Sequence, residues 1–256
     1  MSDVIDIQRD GAVTIITITR PERRNAINGE TANALHEAWL AFDADDTQRV
    51  GILTGGNKVF CAGADLKEID TLDITNEAGA LGFTHLQMSK PTIAAIAGYA
   101  VAGGLELACW CDLRIVDETA TFGCLERRFG VPLVDGGTVR LPQIVGLGRA
   151  LELILTGRLI SADEAYEIGL ANEITAPKKA LKRAVKLAKQ LADFPQVAML
   201  NDRRSVYQSL GKSLPDALAN EARLGAQTWA SGEGKAGAQA FTDGAGRNAD
   251  FEIDSD

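Results

Sequence analysis

Two glycine-bearing segments, Phe60-Cys61-Ala62-Gly63-Ala64-Asp65 and Gly98-Tyr99-Ala100-Val101-Ala102-Gly103-Gly104-Leu105-Glu106, lie about forty residues apart, each after an apolar, strand-like run. Small residues at such turns let two backbone N–H groups converge on one point and let a carbonyl oxygen approach them, as a site that stabilises charge on that oxygen requires. Taken singly, each turn is better explained by tight bending and close packing. Two acids accompany the turns: Glu106, three residues after Gly103, and Glu126, which follows Phe122-Gly123-Cys124-Leu125. Two carboxyls sharing a partly buried water have their proton affinities pushed apart, so one can take a proton while the other gives one. The competing local explanations are a helix N-terminus that favours an acid at Glu106, and an ion pair of Glu126 with Arg127 or Arg128.

The elements that must position these residues follow from apolar periodicity. Val4 to Ile7 and Val13 to Thr19 flank Asp10-Gly11 and predict a hairpin. From Thr31 the period turns helical, with Leu35, Ala38, Trp39 and Phe42 on one face, and Val50 to Thr54 is a strand. Asp65 to Ile69 and Leu72 to Met88 are expected as helices, Ile93 to Ala97 as a buried strand, Gly103 onward as a helix and Leu113 to Val116 as the next strand. This alternation up to about Ala150 argues an α/β architecture of successive similar turns. Beyond it, Ala150 to Leu155, Ser161 to Ile168, Lys178 to Leu191 and Leu214 to Ala230 read as helices, with a capping box at Ser161 and Glu164. The only Gly-rich polar stretch is Ser231 to Gly246, so we read a catalytic core over residues 1–195 and a helical C-terminal region over 196–256.

Composition narrows the function. A formal charge of −9 argues against nucleic acid, which demands basic surface. Cys61, Cys109, Cys111 and Cys124 form neither a disulfide framework nor a zinc pattern, so reduced thiols in the cytoplasm and no metal are expected. Met1 to Asp10 lacks the basic start and apolar stretch of a signal peptide. Pro91 to Leu105 is uncharged but too short and Gly-interrupted to span a bilayer, which needs about 20 apolar residues. Gly98 to Gly104 has the wrong spacing for a dinucleotide fingerprint, and His36 and His85 have no nucleophile partner at recognisable spacing. The lysines from Lys178 to Lys189 are the solvated face of an amphipathic helix.

Four segments in order, Arg20-Pro21-Glu22-Arg23-Arg24-Asn25-Ala26-Ile27-Asn28, Phe60 through Glu68, Lys90 through Ala108, and Cys111-Asp112, resemble the crotonase (enoyl-CoA hydratase/isomerase) superfamily over nearly the whole chain. The resemblance implies a crotonase-like spiral of ββα turns, assembly as a homotrimer or dimer of trimers through a C-terminal trimerisation or lid region, and an acyl-CoA thioester substrate with no separate cofactor. It assigns the two oxyanion donors to the N–H groups of Ala64 and Gly103, water activation to Glu106, and proton delivery at Cα to Glu126. It places the coenzyme along Arg23, Arg24, Ala26, Ala62, Ala64, Asp65 and Leu66. The implied activity is hydration of a 2-trans-enoyl-CoA to a 3-hydroxyacyl-CoA. The segment Arg127 to Gly137 departs from the family pattern: Asp135 could enter the site as a third carboxylate, or Arg127 and Arg128 could hold Glu126 ionised. Other acyl-CoA enolate chemistry (double-bond isomerisation or thioester hydrolysis) and a non-catalytic acyl-CoA-binding role therefore stay open.

Overall fold

The computed structural model describes residues 4–246, so Met1 to Asp3 of the expected N-terminal stretch and residues 247–256 of the expected C-terminal region lie outside the described residues. The chain falls into two compact units, one ending at Ala192 and one starting at Asp193.

The first unit opens with the expected hairpin, β1 (Ile5–Asp10) antiparallel to β2 (Val13–Ile18). Helix α1 (Gly29–Ala44) is capped by Asn28, whose side chain accepts from the Thr31 N–H, and it buries Leu35, Ala38, Trp39 and Phe42. Strands β3 (Val50–Thr54) and β4 (Thr92–Ile96) are buried at every residue, as parallel strands covered on both faces must be. After β4 the chain steps aside into β5 (Tyr99–Val101) and then α2 (Gly103–Trp110); it returns through β6 (Leu113–Asp117), steps aside again into β7 (Thr121–Gly123), and reaches α3 (Gly137–Val145). Helix α4 (Leu147–Thr156), β8 (Ile160–Ser161), α5 (Ala162–Glu167), β9 (Glu173–Thr175) and α6 (Ala180–Asp193) follow. The large sheet has the order β1-β2-β3-β4-β6-β9, parallel beyond the hairpin, and the small sheet the order β5-β7-β8. A strand in each sheet followed by a helix is thus the repeating ββα turn.

Side chains alternating along the strands feed two cores. Val13, Ile15, Val50, Ile52, Ile93 and Ile115 meet Ala184, Ala188 and Ala192 of α6, while Ile16, Ile18, Leu53 and Ile96 face the other way, towards α1 and α2. On that second side Trp39, Phe83 and Trp110 form one aromatic cluster, with Trp110 and Phe83 ring centroids 4.6 Å apart.

Three local expectations are corrected. Leu72 to Met88 is a chain of turns, not a helix: Asp73 and Asn76 accept the N–H groups of Thr75 and Ala78, competing with helical bonding, and Gly79 and Gly82 sit at φ 94° and 96°. Asp65 to Ile69 gives only a 3-10 turn at Ile69–Thr71, preceded by a turn in which the Asp65 carboxylate accepts the Lys67 N–H. Ser161 caps α5 through the Glu164 N–H, but the Glu164 carboxylate pairs with Arg158 instead of returning to Ser161, so the box is half made.

The second unit contains α7 (Gln196–Ser209), α8 (Leu214–Ala230) and α9 (Glu233–Thr242). Only α8 is foreseen by periodicity; α7 has scattered apolar residues, and α9 lies inside the Gly-rich stretch. Both rely on tertiary partners. The Glu233 carboxylate accepts the N–H groups of Val197 and Ala198 at 3.0 and 2.8 Å, satisfying the first turn of α7 from the start of α9. Among the described residues no helix is long and apolar enough to cross a membrane.

Candidate active site

The two glycine-bearing segments meet. Cys61 bridges Ala100 of β5, with the Cys61 N–H donating to Tyr99 and the Val101 N–H to Cys61, and Ala64 bridges Ile27 through bonds from Ile27 to Gly63 and from Asp65 to Ile27. The Phe60–Asp65 strand is therefore threaded between the Ile27 segment and β5. A methyl group built on Gly63, whose φ is 90°, would come 2.7 Å from the Gly103 nitrogen, and one built on Gly103 would lie 3.6 Å from the Ala64 nitrogen. Neither the Ala64 nor the Gly103 N–H donates a hydrogen bond among the described residues. Gly103 opens α2, so its N–H also carries the positive end of the helix dipole. The preceding Ala102 holds φ 52° and ψ −127°, a sparsely populated conformation for a residue with a side chain, here held next to the two free donors.

These donors line a cavity of about 220 Å³ together with Glu106, Glu126 and Asp135 and a largely apolar wall that includes Leu66, Ile74, Leu81 and Val134. Glu106 is 3% exposed, and its Oε1 accepts the N–H groups of Asp135 and Gly137 at 3.0 and 2.8 Å. Burial pushes its carboxyl up to about 8, outweighing those N–H bonds; the charges of Asp135 and Glu126 push the same way. Glu126 lies on a 3-10 turn (Leu125–Arg128), 6% exposed, and neither carboxylate oxygen has a hydrogen-bond partner. Its proton affinity is also raised by burial, with a smaller opposing pull from its own amide and from Arg127. The expectation that arginines hold Glu126 ionised is therefore overturned. Arg127 donates to the Ile154 carbonyl and Arg128 to the Gly157 carbonyl, both beside α4.

Asp135 does line the cavity, but its Oδ1 is committed to the Leu81 N–H at 2.9 Å and the Thr84 hydroxyl at 2.5 Å. Of the coenzyme candidates, Arg24, Ala62, Ala64 and Leu66 line the cavity, whereas Arg23, Ala26 and Asp65 do not. Asp65 pairs with the buried Arg20 at 3.2 Å, and the Ala26 carbonyl accepts from the same guanidinium. Both thus build the turn that presents Arg24, whose own φ of 54° matches that of Asn25. The Arg24 side chain is exposed and makes no ion pair among the described residues. Leu81, Thr84 and Gly137 are contributors that sequence reasoning passes over; the Gly136-Gly137 pair was the one visible signal. All four cysteines are free and buried, and no cluster of three His, Cys, Asp or Glu suited to a metal ion occurs among the described residues.

Residues 8–252 match the family described as Enoyl-CoA hydratase/isomerase. A probable enoyl-CoA hydratase of Rhizobium meliloti is 39% identical over 252 residues, covering 96% of each chain. A crotonyl-CoA hydratase of Syntrophomonas wolfei is 35% identical over 93% of this chain and 94% of its own. The crystal structure of an enoyl-CoA hydratase from Mycobacterium tuberculosis superposes with a TM-score of 0.90 at 35% identity, covering 94% of this chain and 96% of that one. With the ββα turns and two paired sheets in place, these likenesses show that the chain belongs to the enoyl-CoA hydratase/isomerase family and has the crotonase fold.

Proposed function

We propose that the protein is an enoyl-CoA hydratase, adding water to a 2-trans-enoyl-CoA to give a 3-hydroxyacyl-CoA, or running the reverse. The carrying observation is that two buried carboxyls of raised proton affinity share one cavity with two N–H groups that have no acceptor. The thioester oxygen accepts from Ala64 and Gly103, so negative charge arriving on it as the enolate forms is met by fixed dipoles; one such donor is worth about 10²–10³ in rate. Water adds at Cβ, gives a proton to one carboxylate, and Cα takes a proton from the other carboxyl.

The division of labour follows from hydrogen bonding. Burial, with the nearby Asp135 and Glu126 carboxyls, raises the proton affinity of Glu106 to about 8, so its carboxylate is a strong base for water's proton. The Glu106 carboxylate already accepts two N–H bonds and so is the better placed to take water's proton, whereas Glu126, with no donor to its carboxyl among the described residues, is the better placed to give one. Glu106 thus acts as base and Glu126 as acid. Arg24, exposed on the cavity lining and without an ion-pair partner among the described residues, suits the coenzyme phosphates. This chemistry calls for no metal or redox cofactor, and it suits the cytoplasm.

Assembly as a homotrimer or dimer of trimers fits the second unit, whose Val206, Leu214, Leu218 and Trp229 are all more than half exposed; residues 196–256 would then be the trimerisation or lid region. A non-catalytic binding role is disfavoured because Arg127 and Arg128 do not tie up Glu126. The test is loss of the conjugated absorbance of crotonyl-CoA and longer enoyl-CoAs. Turnover by the wild type, lost in Glu126→Gln, is expected; equal rates would refute the role of Glu126.

A further inference from the structure

Asp135 is a buried acid on the cavity wall that this mechanism leaves unused. It is 3% exposed and joins two walls of the cavity. Its Oδ1 accepts from Leu81 and Thr84 on the long segment of turns, and its own N–H donates to Glu106. Arg140 of α3 reinforces the joint, donating to the Asp135 carbonyl at 3.0 Å and to the Thr84 carbonyl at 2.5 Å, and His85 donates to Val134. Leu81, held in this way, fills the space beside Gly103: a methyl group built there would lie 2.7 Å from its Cδ1.

We propose that Asp135 is a positioning residue for Glu106: it ties the Leu81–Thr84 wall to the N–H groups that orient the Glu106 carboxylate, and holds a second carboxyl beside it. The proposal rests on the hydratase reading for its catalytic consequence, not for its physical content. The titratable groups acting on or beside Glu106 are Asp135 from the loop before α3, Glu126 from the 3-10 turn, Cys124 before that turn and Cys109 on α2; the cation Arg140 is directed at backbone carbonyls. A second carboxyl beside Glu106 in a dry cavity disfavours the charged form of Glu106, so the Glu106 carboxylate is the stronger base for it. Neutral asparagine keeps the shape and an oxygen for Leu81 but removes that repulsion.

The experiment titrates Glu106 directly by carbon-13 NMR of carboxyl-labelled glutamate, with the signal assigned through Glu106→Gln. Asp135→Asn is expected to lower the Glu106 midpoint by about one pH unit. Thr84→Val, which removes one donor from Asp135 and leaves Glu106 untouched, is expected to lower it by less, and Thr84→Ser to restore it. The acid limb of kcat/KM for crotonyl-CoA should move in the same direction. A Glu106 midpoint that stays in place or rises in Asp135→Asn overturns the proposal; should that variant not fold, an unmoved midpoint in Thr84→Val does so. The titration needs no substrate, so a wild type that hydrates no enoyl-CoA refutes the hydratase reading alone.

Discussion

The Gly137 nitrogen lies 2.8 Å from Glu106 Oε1, and the same glycine leaves no room for a side chain: a methyl group there would sit 2.9 Å from that oxygen. Donor and steric limit coincide, so the carboxylate of α2 is fixed by the first residue of α3. Gly137→Ala should displace Glu106 while sparing the fold, lowering kcat for crotonyl-CoA about 10²-fold. Unchanged kcat would mean that Glu106 needs no such placement.

Glu106→Gln and Glu126→Gln should each reduce hydration by about 10²–10⁴-fold, as loss of a general acid or base does. Because the two act as a unit, the double variant should lose much less than the product of the single losses. Calorimetric binding of a saturated acyl-CoA should persist in all three, since the N–H groups of Ala64 and Gly103 remain.

Stability should carry the signature of Glu106. Its native carboxyl titrates at about 8 against an ordinary 4.5, so between those values the folded chain binds more protons than the unfolded one. The contribution is fully present below pH 4.5 and is lost as pH rises through about 8, amounting to a few kcal/mol. Melting curves of Glu106→Gln, referenced to wild type, should gain in relative Tm across that window; parallel curves would contradict the buried, protonated acid.

Arg24→Ala should raise KM for crotonyl-CoA roughly tenfold with kcat little changed, as loss of uniform phosphate binding does. The same variant should match wild type on a pantetheine thioester that has no nucleotide phosphates. Equal losses on both substrates would assign Arg24 to the turn.

Arg20→Met should cost about 3–5 kcal/mol in urea unfolding, because it strands the buried Asp65 carboxylate and frees the Ala26 carbonyl. A cost under 1 kcal/mol would show that the turn holds itself.

The features legible in the order of amino acids are local and periodic. The hairpin, α1, the buried strands β3, β4 and β6, and α8 are written in apolar spacing, and the small residues of Phe60–Asp65 and Gly98–Glu106 mark where backbone must approach backbone. Tertiary structure alone decided everything that depends on a distant partner. The Leu72–Met88 segment is a cavity wall because Asp135 accepts from Leu81 and Thr84, and the Trp110 indole donates to the Leu86 carbonyl, bonds that a helix would have had to supply internally. Asp65 turns away from the cavity because Arg20 is buried beneath it, and Arg127 and Arg128 leave Glu126 alone because carbonyls beside α4 accept them first. Adjacent charges in a sequence suggest ion pairs; only folding sets the distances and the burial that decide whether they form, and here burial left both cavity carboxyls, Glu106 and Glu126, holding protons more tightly than their neighbours in sequence would suggest.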